Sequence, residues 1–257
     1  MYLAKSIAAS GLKKQQLRID NIANNVANVN TTGYKNARLD FRDSLYSAGI
    51  GPGPMRSPDN NIQRGHGVLS AAITRDFKPG AFQTTEGMLD FAIEGEGFFA
   101  LRDVNGNTVY TRNGSFHLSV EAEGTFLVNG QGFYVLDQTE QRILIPFGVN
   151  RIDVGVDGTM QFNIGDNIVG TSSLGTFTFH NLKGLETTGG GNFTPTAIAG
   201  ERREAFVTIR QGVLENSNVS LGDEMTRLIR TQRAFQLASR ALTTADEMQG
   251  IANNMRR

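Results

Sequence analysis

The sequence predicts an α+β protein in which an antiparallel all-β central domain is inserted between N- and C-terminal α-helices that pair as a coiled coil. Apolar residues recur every seven positions within residues 3–29 and again within residues 216–257, which predicts the two helices. Turn signals recur about every 8–12 residues between 68 and 215, which predicts the β domain. A single helix cannot bury its own apolar stripe, so each terminal helix is the partner that the other needs.

The N-terminal helical segment is assigned to residues 1–33. Two apolar rows lie on one face of the predicted helix: Leu12, Ile19 and Val26, and Ile22 and Val29. A strict seven-residue spacing on a helix of 3.6 residues per turn favours a left-handed supercoil with a second helix. The pattern ends in an asparagine-rich stretch that leads to Gly33, and both residue types commonly end helices.

Residues 34–67 are assigned to a linker or extended arm. The mixed pattern at 34–47 fits either a short helix or an extended arm. Residues 49–67 are rich in glycine, proline and asparagine, which predicts a mobile linker or an insertion loop.

Residues 68–215 are assigned to the antiparallel β domain, because short runs of β-branched and aromatic residues alternate with glycine-containing turns. The predicted strands cover 68–75, 89–93, 97–102, 108–112, 115–120, 125–128, 133–137, 142–146, 152–156, 160–164, 174–180 and 205–211. A hairpin turn is expected at 104–107. Residues 184–200, which contain three consecutive glycines, are expected to form a flexible loop.

The C-terminal helical segment is assigned to residues 216–257. Its large apolar row is Leu221, Leu228, Phe235 and Leu242, and its alanine row is Ala238, Ala245 and Ala252. Large residues on one row and alanines on the other would allow close approach of a partner helix. Ser220 and Asp223 have the spacing of a capping box, so the helix is expected to begin there.

Composition excludes several classes of protein. The 25 basic and 25 acidic residues give a formal charge of zero, which argues against a dedicated nucleic-acid binder. The absence of cysteine excludes disulfides, thiolate zinc sites and thiol nucleophiles. No apolar run approaches the length of about eighteen residues that a membrane span requires, so no stable membrane insertion is expected. The first ten residues are interrupted by Lys5 and do not fit a cleaved signal peptide.

No cofactor or metal site is expected. Gly95 and Gly97 resemble part of a dinucleotide fingerprint, but no helix is predicted to open after them, as a phosphate site requires. Asp103 begins a stretch with the oxygen spacing of a calcium loop, yet position 114 is glycine where the loop needs a bidentate glutamate. The three histidines share no ligand spacing: His66, His117 and His180.

No catalytic residue is expected either, so we predict that the protein is not an enzyme. Asp90, Glu94 and Glu96 are close enough in sequence for a carboxylate pair that hydrolyses glycosides, but alternating strand sequence favours a solvated face. Four arginines lie on the C-terminal helix: Arg227, Arg230, Arg233 and Arg240. Four acidic residues of the same segment nearly balance them, which favours a solvated or subunit-bridging face over a phosphate or membrane site.

Motifs at both ends and in the middle resemble one family, the bacterial flagellar basal-body rod and hook proteins. At the ends they are 10–12 (SGL), 23–35 (ANNVANVNTTGYK), 216–221 (NSNVSL), 231–235 (TQRAF) and 242–248 (LTTADEM). In the β domain they are 92–99 (AIEGEGFF) and 110–116 (YTRNGSF). The resemblance covers essentially the whole chain.

The resemblance implies a structural subunit that polymerises with itself and with other rod and hook subunits into a tubular axial filament that transmits torque. It implies a place in the basal body, across the periplasm and cell wall, reached unfolded through the flagellar type III export apparatus without a cleaved signal peptide. The length of the chain is most like that of distal rod subunits, and proximal-rod and hook-type subunits are the alternatives.

The terminal helices are expected to form the subunit-assembly interface and to be largely disordered in the free subunit, because isolated helices are marginal in water. The expected interface residues of the N-terminal segment are Leu12, Ile19, Ile22, Asn25, Val26, Asn28, Val29 and Asn30. Those of the C-terminal segment are Leu221, Met225, Leu228, Phe235, Ala238, Leu242, Ala245, Met248 and Ala252.

Two other classes of function remain as alternatives. One is a peptidoglycan-binding or carbohydrate-acting β module with helical oligomerisation arms, in which Asp90 or Glu96 would act. The other is a membrane-surface protein that uses residues 3–29 as an interfacial anchor.

Overall fold

A computed structural model describes residues 2–43, 46–48, 63–65 and 68–255, and the chain divides into two compact units. The helical unit comprises Met1–Ala27, Ala37–Thr74 and Ser220–Arg257. The β unit comprises Asn28–Asn36 and Arg75–Val219. Apart from residues 63–65, the linker predicted at 49–67 lies outside the described residues.

Two long helices, α1 (Tyr2–Ala27) and α2 (Leu221–Met255), pack against each other in the helical unit. This arrangement confirms the prediction of paired helices at the two ends of the chain. The 35 residues of α2 span about 52 Å at 1.5 Å per residue. Two carboxylates in its first turn, Asp223 and Glu224, lie where negative charge stabilises the helix dipole. No helix among the described residues is long and apolar enough to cross a membrane.

The helical unit also contains two small sheets of two strands each. Strand β1 (Ala37–Asp43) pairs with β4 (Val68–Arg75) and packs on α1, and β2 (Tyr46–Ala48) pairs with β3 (Gln63–Gly65). Residues 37–43 are therefore extended and not helical.

Seventeen strands in the described residues build the β unit. They are β5 (Phe82–Thr84), β6 (Phe91–Glu94), β7 (Phe98–Arg102), β8 (Thr108–Thr111), β9 (Phe116–Glu121), β10 (Gly124–Asn129), β11 (Tyr134–Val135), β12 (Leu144–Ile145), β13 (Arg151–Val154), β14 (Thr159–Ile164), β15 (Asn167–Ser173), β16 (Thr176–Phe179), β17 (Leu185–Gly189), β18 (Asn192–Pro195), β19 (Arg202–Glu204), β20 (Thr208–Gln211) and β21 (Val213–Glu215). A single 3-10 turn, Leu182–Gly184, precedes β17.

The main sheet of the β unit has ten strands, and its central path is β12-β10-β11-β7-β8-β18-β17. Strand β9 pairs with β10, and β16 pairs with both β7 and β19. A smaller sheet has the order β13-β14-β15, and two further pairs are β20-β6 and β21-β5. Every one of these pairs is antiparallel, which confirms the predicted all-β domain.

Strand β7 separates two hydrophobic clusters because its side chains alternate between the two faces of the sheet. Phe99 and Leu101 belong to the larger cluster, while Phe98 and Ala100 belong to the smaller one. Consequently β7 has four consecutive buried residues where a one-sided strand would alternate between apolar and polar. The smaller cluster is aromatic, and Phe98 packs edge-on against Phe193 with ring centroids 5.8 Å apart.

The prediction of a flexible loop at 184–200 is wrong, because β17 and β18 form an antiparallel hairpin there. Gly189, Gly190 and Gly191 all have positive φ angles, so the three glycines make its tight turn. Phe193 anchors the hairpin by burying its ring in the aromatic cluster. The glycines that suggested flexibility form the turn of this hairpin.

Candidate assembly interface

The two helices run antiparallel, as two contacts at opposite ends of the pair show. Near one end, the amide of Asn25 in α1 donates to the carboxylate of Glu224 in the first turn of α2. Near the other end, Lys5 at the start of α1 forms an ion pair with Asp246 in the last third of α2. The N-terminal residues of one helix therefore lie beside the C-terminal residues of the other.

The best-buried positions of the helix pair carry polar as well as apolar side chains. Ile22 and Asn25 are buried on α1, and Glu224 and Thr231 are buried on α2. Glu224 and Thr231 are seven residues apart and continue the row of alanines at 238, 245 and 252 toward the start of the helix. An apolar heptad pattern does not detect these two members, because their side chains are polar.

The residues expected at the assembly interface fall into three groups by exposure. Buried are Ile22 and Asn25. Partly buried are Leu12, Ile19, Val26, Asn28, Val29, Leu228, Phe235, Ala238, Leu242 and Ala245. Exposed are Asn30, Leu221, Met225, Met248 and Ala252. Asn28, Val29 and Asn30 belong to the β unit, whereas all the others belong to the helical unit.

Asn25 fastens α1 to the adjoining strand β1 through its backbone. Its side-chain nitrogen donates to the carbonyl of Ala37 at 2.8 Å, and its side-chain oxygen accepts from the amide of Ala37 at 3.0 Å. Glu224 in turn accepts from Arg227 Nη1 at 2.8 Å. The amide of Asn25 is therefore engaged within the subunit, in a buried network in which its partners replace water.

An open cleft of about 370 Å³, here called the arginine cleft, lies next to this network in the helical unit. Four exposed arginines line it: Arg18 of α1, Arg38 of β1, and Arg227 and Arg230 of α2. Glu224 is the one acidic residue of its lining. The cleft is therefore strongly basic, which the near balance of charge along α2 did not indicate.

Large apolar side chains remain exposed along α2 in the single subunit. They are Leu221, Met225, Ile229, Leu237, Met248, Ile251 and Met255. Ile251 is 61% exposed and Leu237 is 66% exposed, which is unusual for such residues on a helix that already has a partner. The helix pair therefore leaves a large part of its apolar surface available.

The β unit contains a buried ionic cluster of Lys35, Arg112 and Glu215, each with a side chain about 1% exposed. Lys35 Nζ lies 2.5 Å from Glu215 Oε1 and donates to the carbonyl of Lys78 at 2.7 Å. Arg112 Nη1 lies 3.5 Å from Glu215 Oε2. Glu215 Oε1 also accepts from the amide of Gly80 at 2.9 Å.

This ionic cluster joins parts of the β unit that are distant in sequence. Lys35 lies in the segment after α1, Arg112 follows β8, and Glu215 ends β21. Burial lowers the pKa of the Lys35 ammonium, and the carboxylate of Glu215 acts against that effect. Burial lowers the pKa of Arg112 as well, again opposed by Glu215. Glu215 thus compensates both buried cations, with smaller contributions from Asp76 to Lys35 and from Glu96 to Arg112.

Gly33 allows the segment that carries Lys35 to approach the rest of the β unit. Its φ angle is +69°, which residues with a side chain rarely adopt. A Cβ atom at this position would lie 2.5 Å from the amide nitrogen of Asn113. The amide of Gly33 donates to the carbonyl of Glu215 at 2.8 Å, so the backbone and the ionic cluster hold the same two segments together.

The residues weighed for other chemistry are separated in the structure. Asp103 accepts from the amide of Gly106 in the predicted hairpin between β7 and β8. His117 and His180 are exposed, and the described residues contain no group of three potential metal ligands. Asp90 accepts from the hydroxyl of Thr85 at 2.7 Å, while Glu94 and Glu96 are exposed.

Three family domains match the chain in the order of its helix, β unit and helix. The flagella basal body rod protein domain matches residues 6–35. The flagellar hook protein FlgE/F/G D1 domain matches residues 92–162. The flagellar basal body rod FlgEFG protein C-terminal domain matches residues 210–255.

Several relatives are similar over nearly the whole chain. The flagellar basal-body rod protein FlgG of Borreliella burgdorferi is 37% identical over 265 residues, which cover 97% of this chain and 97% of the relative. FlgG of Bacillus subtilis is 34% identical, with 96% and 97% covered. The flagellar hook-basal body complex protein FlhP of Bacillus subtilis is 31% identical, with 97% of each chain covered.

Proposed function

Because this chain belongs to the FlgG family of flagellar basal-body rod proteins, we propose that it forms the distal rod by polymerising through its terminal helices into a tube. The chain is a structural subunit of the flagellar rod, with its place in the basal body. The relatives named FlgG support the distal rod over the proximal-rod and hook-type alternatives.

The observation that carries the polymerisation proposal is the exposed apolar surface of α2. A helix in a finished globular protein buries its apolar stripe, yet α2 leaves residues such as Leu237 and Ile251 in water although α1 already covers one side. Neighbouring subunits that pack helix against helix would cover this surface.

The remaining features of the proposal follow from this role. The subunit travels through the flagellar export apparatus and takes its place across the periplasm and cell wall. Its partners are further copies of itself and other rod and hook subunits. It binds no nucleic acid, does not insert stably into a membrane, needs no cofactor and catalyses no reaction.

Charge placed in the partly buried helix surface tests the proposal. We expect electron microscopy to show tubes for the wild-type protein at high concentration, and Leu228→Asp and Phe235→Asp to abolish them. A carboxylate buried without a partner costs several kcal/mol. Gln236→Asp puts the same charge on an exposed position beside Phe235 and should leave tubes intact.

Truncation tests whether the terminal helical segments are needed for polymerisation while the β domain folds without them. Removal of about thirty residues from both ends should abolish polymerisation, while the circular-dichroism spectrum of the β strands persists. Tubes formed by the doubly truncated protein would show that the terminal helices are not required for polymerisation. Glycan binding by that protein, lost on Glu96→Gln, would instead support the carbohydrate-binding alternative.

A further inference from the structure

The zero net charge of the chain conceals two units of opposite charge. Over the ranges that make up the helical unit, the sequence has 14 basic and 8 acidic residues, a formal charge of +6. Over those of the β unit it has 11 basic and 17 acidic residues, a formal charge of −6. Two copies of the chain would therefore attract each other when the helical unit of one faces the β unit of the other.

Within the helical unit, the arginine cleft concentrates the positive charge. Arg227 is paired with Glu224, and Arg38 is paired with Asp40 at 2.9 Å. Among the described residues, no carboxylate lies within 4.0 Å of the guanidinium groups of Arg18 and Arg230. The cleft thus has two exposed cations to offer to a carboxylate group from outside the subunit.

Within the β unit, the end of β6 and the link to β7 present two exposed carboxylates. Glu94, Gly95 and Glu96 are all exposed, whereas the three residues before them and the four after them are buried. In the described part of the chain, neither carboxylate has a cation within 4.0 Å. We call residues 94–96 the acidic tip.

The interior of the β unit holds the acidic tip in a fixed conformation. Arg112 Nη1 donates to the carbonyl of Ile93 at 3.1 Å, and Nη2 donates to the carbonyl of Gly95 at 2.6 Å. Gly95 has a φ angle of +124°, which a residue with a side chain rarely adopts. Since Arg112 is itself fixed by the ionic cluster, the tip loses little conformational entropy when it binds.

We infer that the acidic tip of one subunit docks in the arginine cleft of a neighbouring copy, where Glu94 and Glu96 pair with Arg18 and Arg230. The inference rests on the proposed polymerisation and supplies its electrostatic contact. Two exposed carboxylates within three residues match the open basic cleft of about 370 Å³ in charge.

The contact has a consequence for the geometry of assembly. The cleft and the tip are different surfaces, so each subunit presents a tip to one neighbour and a cleft to another. Such a heterologous interface produces an open filament unless the rotation closes into a ring. The inferred contact therefore directs copies of this chain toward a helical polymer.

Charge reversal and its compensation test the contact in the full-length chain. We expect Arg18→Glu with Arg230→Glu to raise the protein concentration needed for polymerisation about tenfold or more, because like charges would then face each other. Glu94→Lys with Glu96→Lys should do the same. All four changes in one chain should restore the threshold to within about threefold, since every interface would again pair opposite charges. Arg233→Glu, on the same helix but outside the cleft, is the matched control.

A cross-link tests the same contact independently of tube formation. The chain has no cysteine, so two single-cysteine proteins can be mixed, one with Glu96→Cys and one with Arg230→Cys. We expect a disulfide-linked heterodimer in excess over the product with Arg233→Cys, and a loss of that excess at high salt. Equal yields, or failure of the fourfold variant to recover, would overturn the contact. If the wild-type protein formed no tubes, that result would instead count against the proposed polymerisation.

Discussion

The two units of the subunit bury charge to very different degrees. In the β unit, Lys35, Arg112 and Glu215 are almost completely excluded from water, and Glu215 pairs with both cations. In the helical unit, Glu224 is buried, but the side chain of its partner Arg227 is 48% exposed. Ion pairs in water contribute little to stability, whereas removal of one member of a buried pair is strongly destabilising.

Apolar side chains are also arranged differently in the two units, although both units expose some of them, such as Phe147 and Phe206 of the β unit. The β unit closes two hydrophobic clusters within itself, and Phe99 and Leu101 are fully buried. The helical unit buries Ile22 but leaves Leu237 and Ile251 exposed. The difference teaches that the β unit closes its core within one subunit, whereas the proposed polymer would cover the exposed apolar side chains of α2 with neighbouring subunits.

The largest loss of stability should follow from replacing the carboxylate of the ionic cluster. Glu215→Gln leaves two buried cations without a counter-charge, so we expect the free energy of unfolding of the β unit to fall by about 3–5 kcal/mol in urea denaturation. The same change at exposed Glu186 should cost no more than about 0.5 kcal/mol.

Lys35→Met sharpens this prediction, because it leaves Glu215 paired with Arg112 and should cost less than Glu215→Gln. The importance of the cluster would be refuted by a loss below about 1 kcal/mol for Glu215→Gln.

A smaller loss of stability is expected in the helical unit from Asn25→Leu. The amide and carbonyl of Ala37 would lose their side-chain partner, and each unsatisfied group costs about 1–3 kcal/mol when it stays dry. Hydrogen exchange at the Ala37 amide should accelerate accordingly. Gln16→Leu, an exposed position on the same helix, should leave that rate unchanged; equal rates in both variants would contradict the role of Asn25.

The smallest expected effect is the pH dependence of stability that comes from Lys35. Its pKa is lower in the folded state than the value near 10.4 of an unfolded chain, because burial disfavours the ammonium. Between the two values the unfolded state binds more protons, so this group makes the protein more stable as pH rises, by at most about 1.4 kcal/mol per pH unit.

The pH effect is measured against a variant that lacks the titrating group. The stability difference between wild type and Lys35→Met should shift in favour of wild type as pH rises toward about 10.4. The difference between wild type and Lys183→Met, at an exposed lysine, should stay flat. A shift of the opposite sign for Lys35 would refute the lowered pKa.

The sequence predicts the arrangement of this fold well because heptads and turns are local signals. Spacing alone locates α1 and α2, and hairpin turns locate most strands of the β unit. The hairpin at β17 and β18 escapes such analysis because its three glycines resemble a flexible loop. Its stability comes from Phe193, whose partners are distant in the chain.

The polar contacts are much harder to predict. Lys35 and Glu215 are 180 residues apart, and only the completed strand pairing brings them together. Glu224 and Thr231 occupy the predicted heptad row but carry polar groups, so an apolar pattern ends before it reaches them. The arginine cleft combines residues of α1, β1 and α2, and no single segment contains its pattern.

Hydrogen exchange of the free subunit and of the polymer tests most directly whether neighbouring subunits complete the helical unit. In the free subunit, amides of α1 and α2 should exchange rapidly while those of β7 and β8 are protected. On polymerisation, α1 and α2 should gain protection, and β7 and β8 should change little. Helices that are as protected as β7 in the free subunit, and gain nothing in the polymer, would contradict the account.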